Sequence, residues 1–259
     1  MNNNVVSFVK KHNLTAAEFI ERLANGESDF RSLGKMKVIG KVRLLKTVVT
    51  TEVHLGELHF LNTFDCQFAT FKEKFCFNKA IFEEGFTCRK AQFLEALYFD
   101  YAQFNVEFTF GEGRFYGPVR CAHATFFDVY CAYAIFKMKF YFDNAEIKNT
   151  FWSVKAKFKE GIDAGEAKFL DNFDGGEAEL EGPFSCNKAD FGTFYCRSII
   201  CLAGFFCDEA KFTIVHANKS PHVAWVIMNY KESGMHFELD HAPSRLQPKS
   251  TRLLVHKED

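Results

Sequence analysis

The chain has 259 residues, 47% of them hydrophobic, and a formal net charge of −1. That content is ample for the core of one elongated domain or two ordinary ones, and near-neutrality argues against a polycation built for nucleic acid or a chain kept disordered by self-repulsion. Nine cysteines without a CxxC pair indicate neither a disulfide framework nor a zinc finger, and no apolar run reaches the ~18 residues of a membrane span.

Residues 1–34 differ from the rest. Thr15 followed by Glu18 has capping-box spacing, with Leu14 and Phe19 placed as a hydrophobic staple. Phe19, Ile20 and Leu23 then share one helical face, and Gly26 supplies a stop. A short helix capping the end of a repeat array is the expectation. Ahead of it, the pattern over 5–11 leaves helix and strand open. No basic-then-apolar leader precedes it, so the reading is a soluble, cytoplasmic protein with reduced thiols.

From residue 35 the text changes to short β-branched and aliphatic bursts, taken as irregular first coils up to about residue 52. Lys35, Lys37, Lys41, Arg43 and Lys46 form a basic patch there, read as a solvated face.

Over 53–213 an Ala-x-Phe triplet recurs: Ala80-Ile81-Phe82, Ala91-Gln92-Phe93 and Ala102-Gln103-Phe104 are eleven residues apart. A second row, including Phe86-x-Cys88, Leu97-x-Phe99 and Phe108-x-Phe110, keeps the same interval, so steps between inward pairs alternate between five and six residues. The composition agrees, since 33 Phe against 2 Trp suggests one slot filled many times. Two-residue alternation broken by a turn every five or six residues is strand-and-corner behaviour, incompatible with a helix.

If four bursts close one coil of about 22 residues, Phe82, Phe104, Phe126, Ile147, Phe169, Phe191 and Phe212 stack in one interior column. Phe71, Phe93, Phe115, Phe136, Phe158, Leu180 and Leu202 stack in the opposite one. Small residues and cysteines would fill the corners between this pair of ladders. Seven to eight turns at a β spacing predict a rod of about 35 Å.

The Ala/Phe pairs at 80/82, 91/93, 102/104, 156/158, 167/169 and 189/191 give the chain a resemblance to the pentapeptide-repeat proteins. It departs from that family in its sixth residue in alternate repeats and in Phe in the second row. The resemblance implies an all-β fold, a right-handed quadrilateral parallel β-helix over 35–216 with terminal caps. It also implies a C-terminal element over 217–241, around Trp225, Ile227 and Tyr230, that caps the last coil and in some members makes a two-fold dimer contact. Residues 242–259 read as a flexible tail.

Catalytic motifs are absent: no P-loop, dinucleotide fingerprint or HExxH occurs. His54 and His59 fall on successive faces, so neither a metal nor a cofactor is expected, and the chain reads as non-enzymatic. Cys66, Cys88, Cys121, Cys131, Cys186, Cys196 and Cys207 occupy inward slots. Cys76 and Cys201 fall outward or at corners and would be the reactive pair if any are.

The surface remains. Residues 57–216 carry 17 basic and 23 acidic residues. Some members of the resembled family imitate DNA and occupy type II topoisomerases, which needs acidic residues stacked in rows. Glu84, Asp128 and Asp171 fall roughly in one column, and Glu73 and Glu95 in another with Glu160. Val106, Asn149, Gly117 and Met138 interrupt them. The expectation is a rod that binds a protein partner, with a DNA-handling enzyme as leading class and no direct nucleic-acid contact. The rival is an adaptor or effector docking through exposed aromatics such as Tyr116, Phe127, Tyr141 and Trp152.

Overall fold

A computed structural model describes residues 13–216 and the strand His236–Glu238. Its strands pair only in parallel, with partners about 22 residues before and after, so that Ile81–Phe82 lies between the strands of His59–Phe60 and of Gln103 and Phe104. The result is the expected right-handed β-solenoid, of about nine turns, with one helix near its N-terminal end. The count exceeds the sequence expectation because Lys37, Val42, Val48 and Val53 already sit in full register with His59, Phe64, Thr70 and Phe75, so the first coils are regular. The basic residues of that coil, Lys35, Lys37, Lys41, Arg43 and Lys46, are all exposed.

One coil illustrates the four faces. The first carries Ile81–Phe82, the second Phe86–Thr87, the third Gln92–Phe93 and the fourth Leu97–Tyr98. On faces one and three the second residue of the pair is buried, and on faces two and four the first.

Two of the four corners have a fixed length. Between faces two and three, and between four and one, the chain makes a four-residue turn, as where the N–H of Ala91 donates to the C=O of Cys88 (3.0 Å) and that of Ala102 to Phe99 (2.9 Å). The third turn residue has positive φ, 58° at Lys90 and 62° at Tyr101, and among the described residues the sixteen non-glycine positions with positive φ all fall in these two columns. This is the left-handed conformation demanded by the third position of a type II turn. A turn closed by that hydrogen bond has no room for another residue, so the other two corners absorb the sixth.

The first-to-second corner is one residue shorter where Phe126 leads to Val129 and where Phe191 leads to Phe194, and the sheet register shifts beside each. This corrects one column. The turn Cys196–Ile199 keeps its fixed length, with the Ile199 N–H donating to the Cys196 C=O at 3.3 Å. Cys201 therefore pairs with Leu180, and Leu202, expected inside, is exposed.

The core is richer in phenylalanine than a pair of ladders. Phe82 and Phe104 stack at 4.7 Å with planes 5° apart, and Phe93 and Phe115 stack across the coil. A third ladder runs down face two, with Phe64 on Phe86 at 5.2 Å and Phe151 on Phe173 at 4.9 Å. These separations match the β spacing of about 4.8 Å, so each ring meets its copy on the next coil at offset-stacking distance. Every phenylalanine between residues 13 and 216 is buried except Phe68, Phe127 and Phe206.

At the N-terminal end, the strand Asn13–Thr15 pairs with Lys37–Ile39 and leads into the helix Ala16–Ala24, whose capping box of Thr15 and Glu18 is formed. The helix drops Phe19 onto Phe30 and Phe60, at 5.1 and 5.9 Å between ring centres, closing the apolar interior of the first coil. At the other end His236–Glu238 adds a parallel strand to Ile214–His216. Trp225, Ile227 and Tyr230, the tail 242–259 and the segment 5–11 lie outside the described residues. No helix among the described residues is long and apolar enough to cross a membrane.

Candidate functional site

With the interior filled, chemistry falls to the outward positions, which the 22-residue period stacks into columns. On face two the column runs Tyr130, Trp152, Asp174, Tyr195, His216, each the register partner of the next. Tyr130 meets Trp152 edge-on at 5.9 Å, and Tyr195 stacks on His216 at 4.4 Å. Burial, and then the Asp128 carboxylate, push the Tyr130 phenol above its usual pKa. Trp152, Asp174 and Tyr195, with Thr150 and Asn172, line a cleft of 260 Å³. The corners on either side add Phe127 (43% exposed) and Leu170 (52%), and Tyr133 (57%), whose ring lies under the Lys155 ammonium. The strip from Tyr130 to His216 spans four coil steps, about 19 Å.

Of the aromatics anticipated for docking, Phe127 and Trp152 belong to this strip. Tyr116 is exposed on another corner, and Tyr141 is half-buried on face four between Arg120 and Lys139. Tyr130 and Tyr195 escaped sequence reasoning. Their signal is spacing, because the steps 130–152–174–195 follow the coil length once the one-residue shortening at Phe191–Phe194 is allowed for.

The acidic residues have diverse fates. Glu73, Glu95 and Asp171 are exposed. Glu84 is half-buried and holds a corner, accepting the Asn62 amide (3.1 Å) and both the N–H and hydroxyl of Thr63 (3.0 Å each). These hydrogen bonds, led by Asn62, hold its carboxyl below the usual range. Asp128 is buried and occupied by the Asn149 amide and the Thr150 N–H. Elsewhere acids meet cations one coil away: Lys157 with Glu179 at 2.6 Å, Lys159 with Glu181, Lys139 with Asp163 at 3.4 Å, and Arg89 and Lys90 with Glu112. At these places a cation stands beside the acid, so the acidic groups do not form an uninterrupted row.

The seven cysteines in inward slots are all buried. Cys76 and Cys201 are half-buried, and burial raises both thiols, to about 11 and about 12, so neither is a ready thiolate. For Cys76 the Glu52 carboxylate adds to the rise.

Cys76 belongs to a second cleft, of 380 Å³, near the N-terminal end of face four. His54 and Cys76 are register partners on adjacent coils, and His54 Nε2 lies 3.2 Å from a Glu52 oxygen. The pairing of His54 with Cys76, 22 residues apart, is legible only once the coil length is known. His59, on face one, instead faces Glu83.

Scanned against family models, curated proteins and solved structures, the chain matches none.

Proposed function

We propose that this chain is a non-enzymatic protein-binding rod that docks a partner through the aromatic strip of face two. The observation that carries this reading is the run of outward positions Tyr130, Trp152, Asp174, Tyr195 and His216, flanked by exposed Phe127, Leu170 and Tyr133, which gathers aromatic rings on one face, whereas the other exposed aromatics, Phe68, Tyr101, Tyr116 and Phe206, stand apart from it. Amphipathic rings on a rigid sheet lose little conformational freedom on binding and release water from a large area, which makes such patches interaction sites. Kinship with pentapeptide-repeat proteins is part of the proposal and rests on the repeat spacing.

The DNA-mimic form of this function keeps Glu73, Glu95 and Asp171 as solvent-facing acids. Two members of the anticipated rows, Glu84 and Asp128, spend their carboxylates on corner hydrogen bonds, which favours the aromatic form.

The test is capture of partners from nuclease-treated lysate, with salt steps, by the native chain, by Trp152→Ala/Tyr195→Ala and by Glu73→Gln/Glu95→Gln/Asp171→Asn. Aromatic docking predicts a partner retained at high salt, lost by the first variant and kept by the second. A DNA-handling enzyme released at moderate salt and lost only by the acidic variant replaces aromatic docking with mimicry.

A further inference from the structure

The cleft at the N-terminal end of face four gathers three metal-binding side chains of different chemistry. His54 and Cys76 leave the same sheet face from adjacent coils, and Glu52 reaches them from the corner that precedes His54. A carboxylate oxygen of Glu52 lies 3.2 Å from His54 Nε2, and Cys76 Sγ completes a triangle whose corners all lie within 4.8 Å of one another. The triangle opens onto the cleft, whose other walls include Arg31, Lys74, Tyr98 and Asp100.

The scaffold under these residues is hydrogen-bonded on both sides. The His54 N–H donates to the Ser28 C=O (2.7 Å), and its C=O accepts the Phe30 N–H (2.8 Å). On the opposite side the Leu55 N–H donates to the Cys76 C=O at 2.8 Å. Donor atoms carried on paired strands are held closer to a fixed geometry than donors on a loop tip. Of the two cations on the cleft wall, Arg31 is already neutralised by a two-pronged contact with Asp29, at 2.9 and 2.6 Å.

We propose that Glu52, His54 and Cys76 form a site for a Zn²⁺ ion, with water in the fourth position. One carboxylate oxygen, one imidazole nitrogen and one thiolate suit this borderline-soft ion, whereas Mg²⁺ and Ca²⁺ take oxygen donors. Bonds of about 2.0–2.3 Å in a tetrahedron set donor atoms roughly 3.3–3.8 Å apart. The Glu52–His54 separation is already close to that range, and a triangle lying within 4.8 Å needs at most about 1 Å of closure along any side. Binding breaks the Cys76 S–H bond, forms S–Zn and delivers one proton to the solvent, while the carboxylate and the neutral imidazole bind as they stand.

The test uses the full-length, reduced chain without a histidine tag, titrated with Co²⁺ and then Zn²⁺. One Co²⁺ per chain should produce a thiolate-to-cobalt charge-transfer band and the visible absorption of tetrahedral cobalt, both removed by Zn²⁺. Cys76→Ser should abolish the charge-transfer band. His54→Gln and Glu52→Gln, which leave the thiol in place, should weaken Co²⁺ binding by about a hundredfold or more. Cys201→Ser should change nothing. A chain that gives no charge-transfer band, or a band that survives Cys76→Ser or disappears in Cys201→Ser, overturns the proposal. So does unchanged affinity in both His54→Gln and Glu52→Gln.

Discussion

The carboxylate of Asp128 accepts the backbone N–H of Thr150, 22 residues along the chain and one coil away, at 2.9 Å. It sits where the first-to-second corner is one residue short, and it satisfies a backbone donor at the corner of the next coil. Glu84 does the same for Thr63 at a corner of full length.

Asp128→Ala should therefore lower the unfolding free energy by about 1–3 kcal/mol, the range for stranding a buried donor. Asp128→Asn keeps one acceptor oxygen and should lose less. Urea denaturation followed by circular dichroism checks both, and equal losses in the two variants would mean that the hydrogen bond to Thr150 matters little.

Phe104 lies in the middle of the longest first-face ladder, between Phe82 and Phe126 at 4.7 and 4.8 Å. Phe104→Ala should cost about 3–5 kcal/mol, since rigid coils above and below cannot collapse into the space. Phe127→Ala, one position past the same column and facing solvent, should fall within about 0.5 kcal/mol of the parent. The pair of denaturation curves tests inward against outward at nearly one place.

Burial, and then Asp163, push the Asp143 carboxyl up to about 6. The folded state thus holds this proton more tightly than the unfolded chain, and the stability this gives is present below pH 4 and lost as pH rises to about 6. Asp143→Asn should be more stable than the parent at pH 7–8, by about 1 kcal/mol for a group that solvent still reaches, with the advantage vanishing near pH 4. Thermal melts across pH 4–8 read the crossover, and an advantage that grows toward acid would show the sign to be wrong.

Glu166 adopts φ of 56° at a fixed-length corner. Glycine there relieves the left-handed strain but frees the unfolded chain, for a net gain of about 0.5 kcal/mol. A β-branched residue has no such relief, and Glu166→Val should cost more than about 1 kcal/mol. Melting temperatures of the two variants should move in opposite directions.

The solenoid was legible because one rule, an inward residue every five or six positions, repeats often enough to be seen through its exceptions. The column through Phe82, Phe104, Phe126 and Ile147 follows from it directly. The slip at Leu202 came from an unknown that spacing alone does not carry, namely which corners have a fixed length. That depends on the hydrogen-bonded turn at Cys196–Ile199, whose left-handed residue, Ser198, is not a glycine that would have marked it. The outward sites were harder. Side chains such as Tyr130 and Trp152, or His54 and Cys76, are neighbours only through the coil length, and outward positions obey no hydrophobic pattern that would bring them to notice.

The N–H of Gln103 donates to the C=O of Ala80 at 2.9 Å, so the chain passes over its own earlier path one coil on. Joining Ala80 directly to Gln103, with 81–102 removed, would set Phe104 on Phe60 in the place Phe82 now holds and keep the later backbone pairings in register. The length of this protein is therefore a quantity that can change in whole coils, and a gene that gains or loses such a unit moves the surface sites apart or together by one β spacing while the fold stays the same.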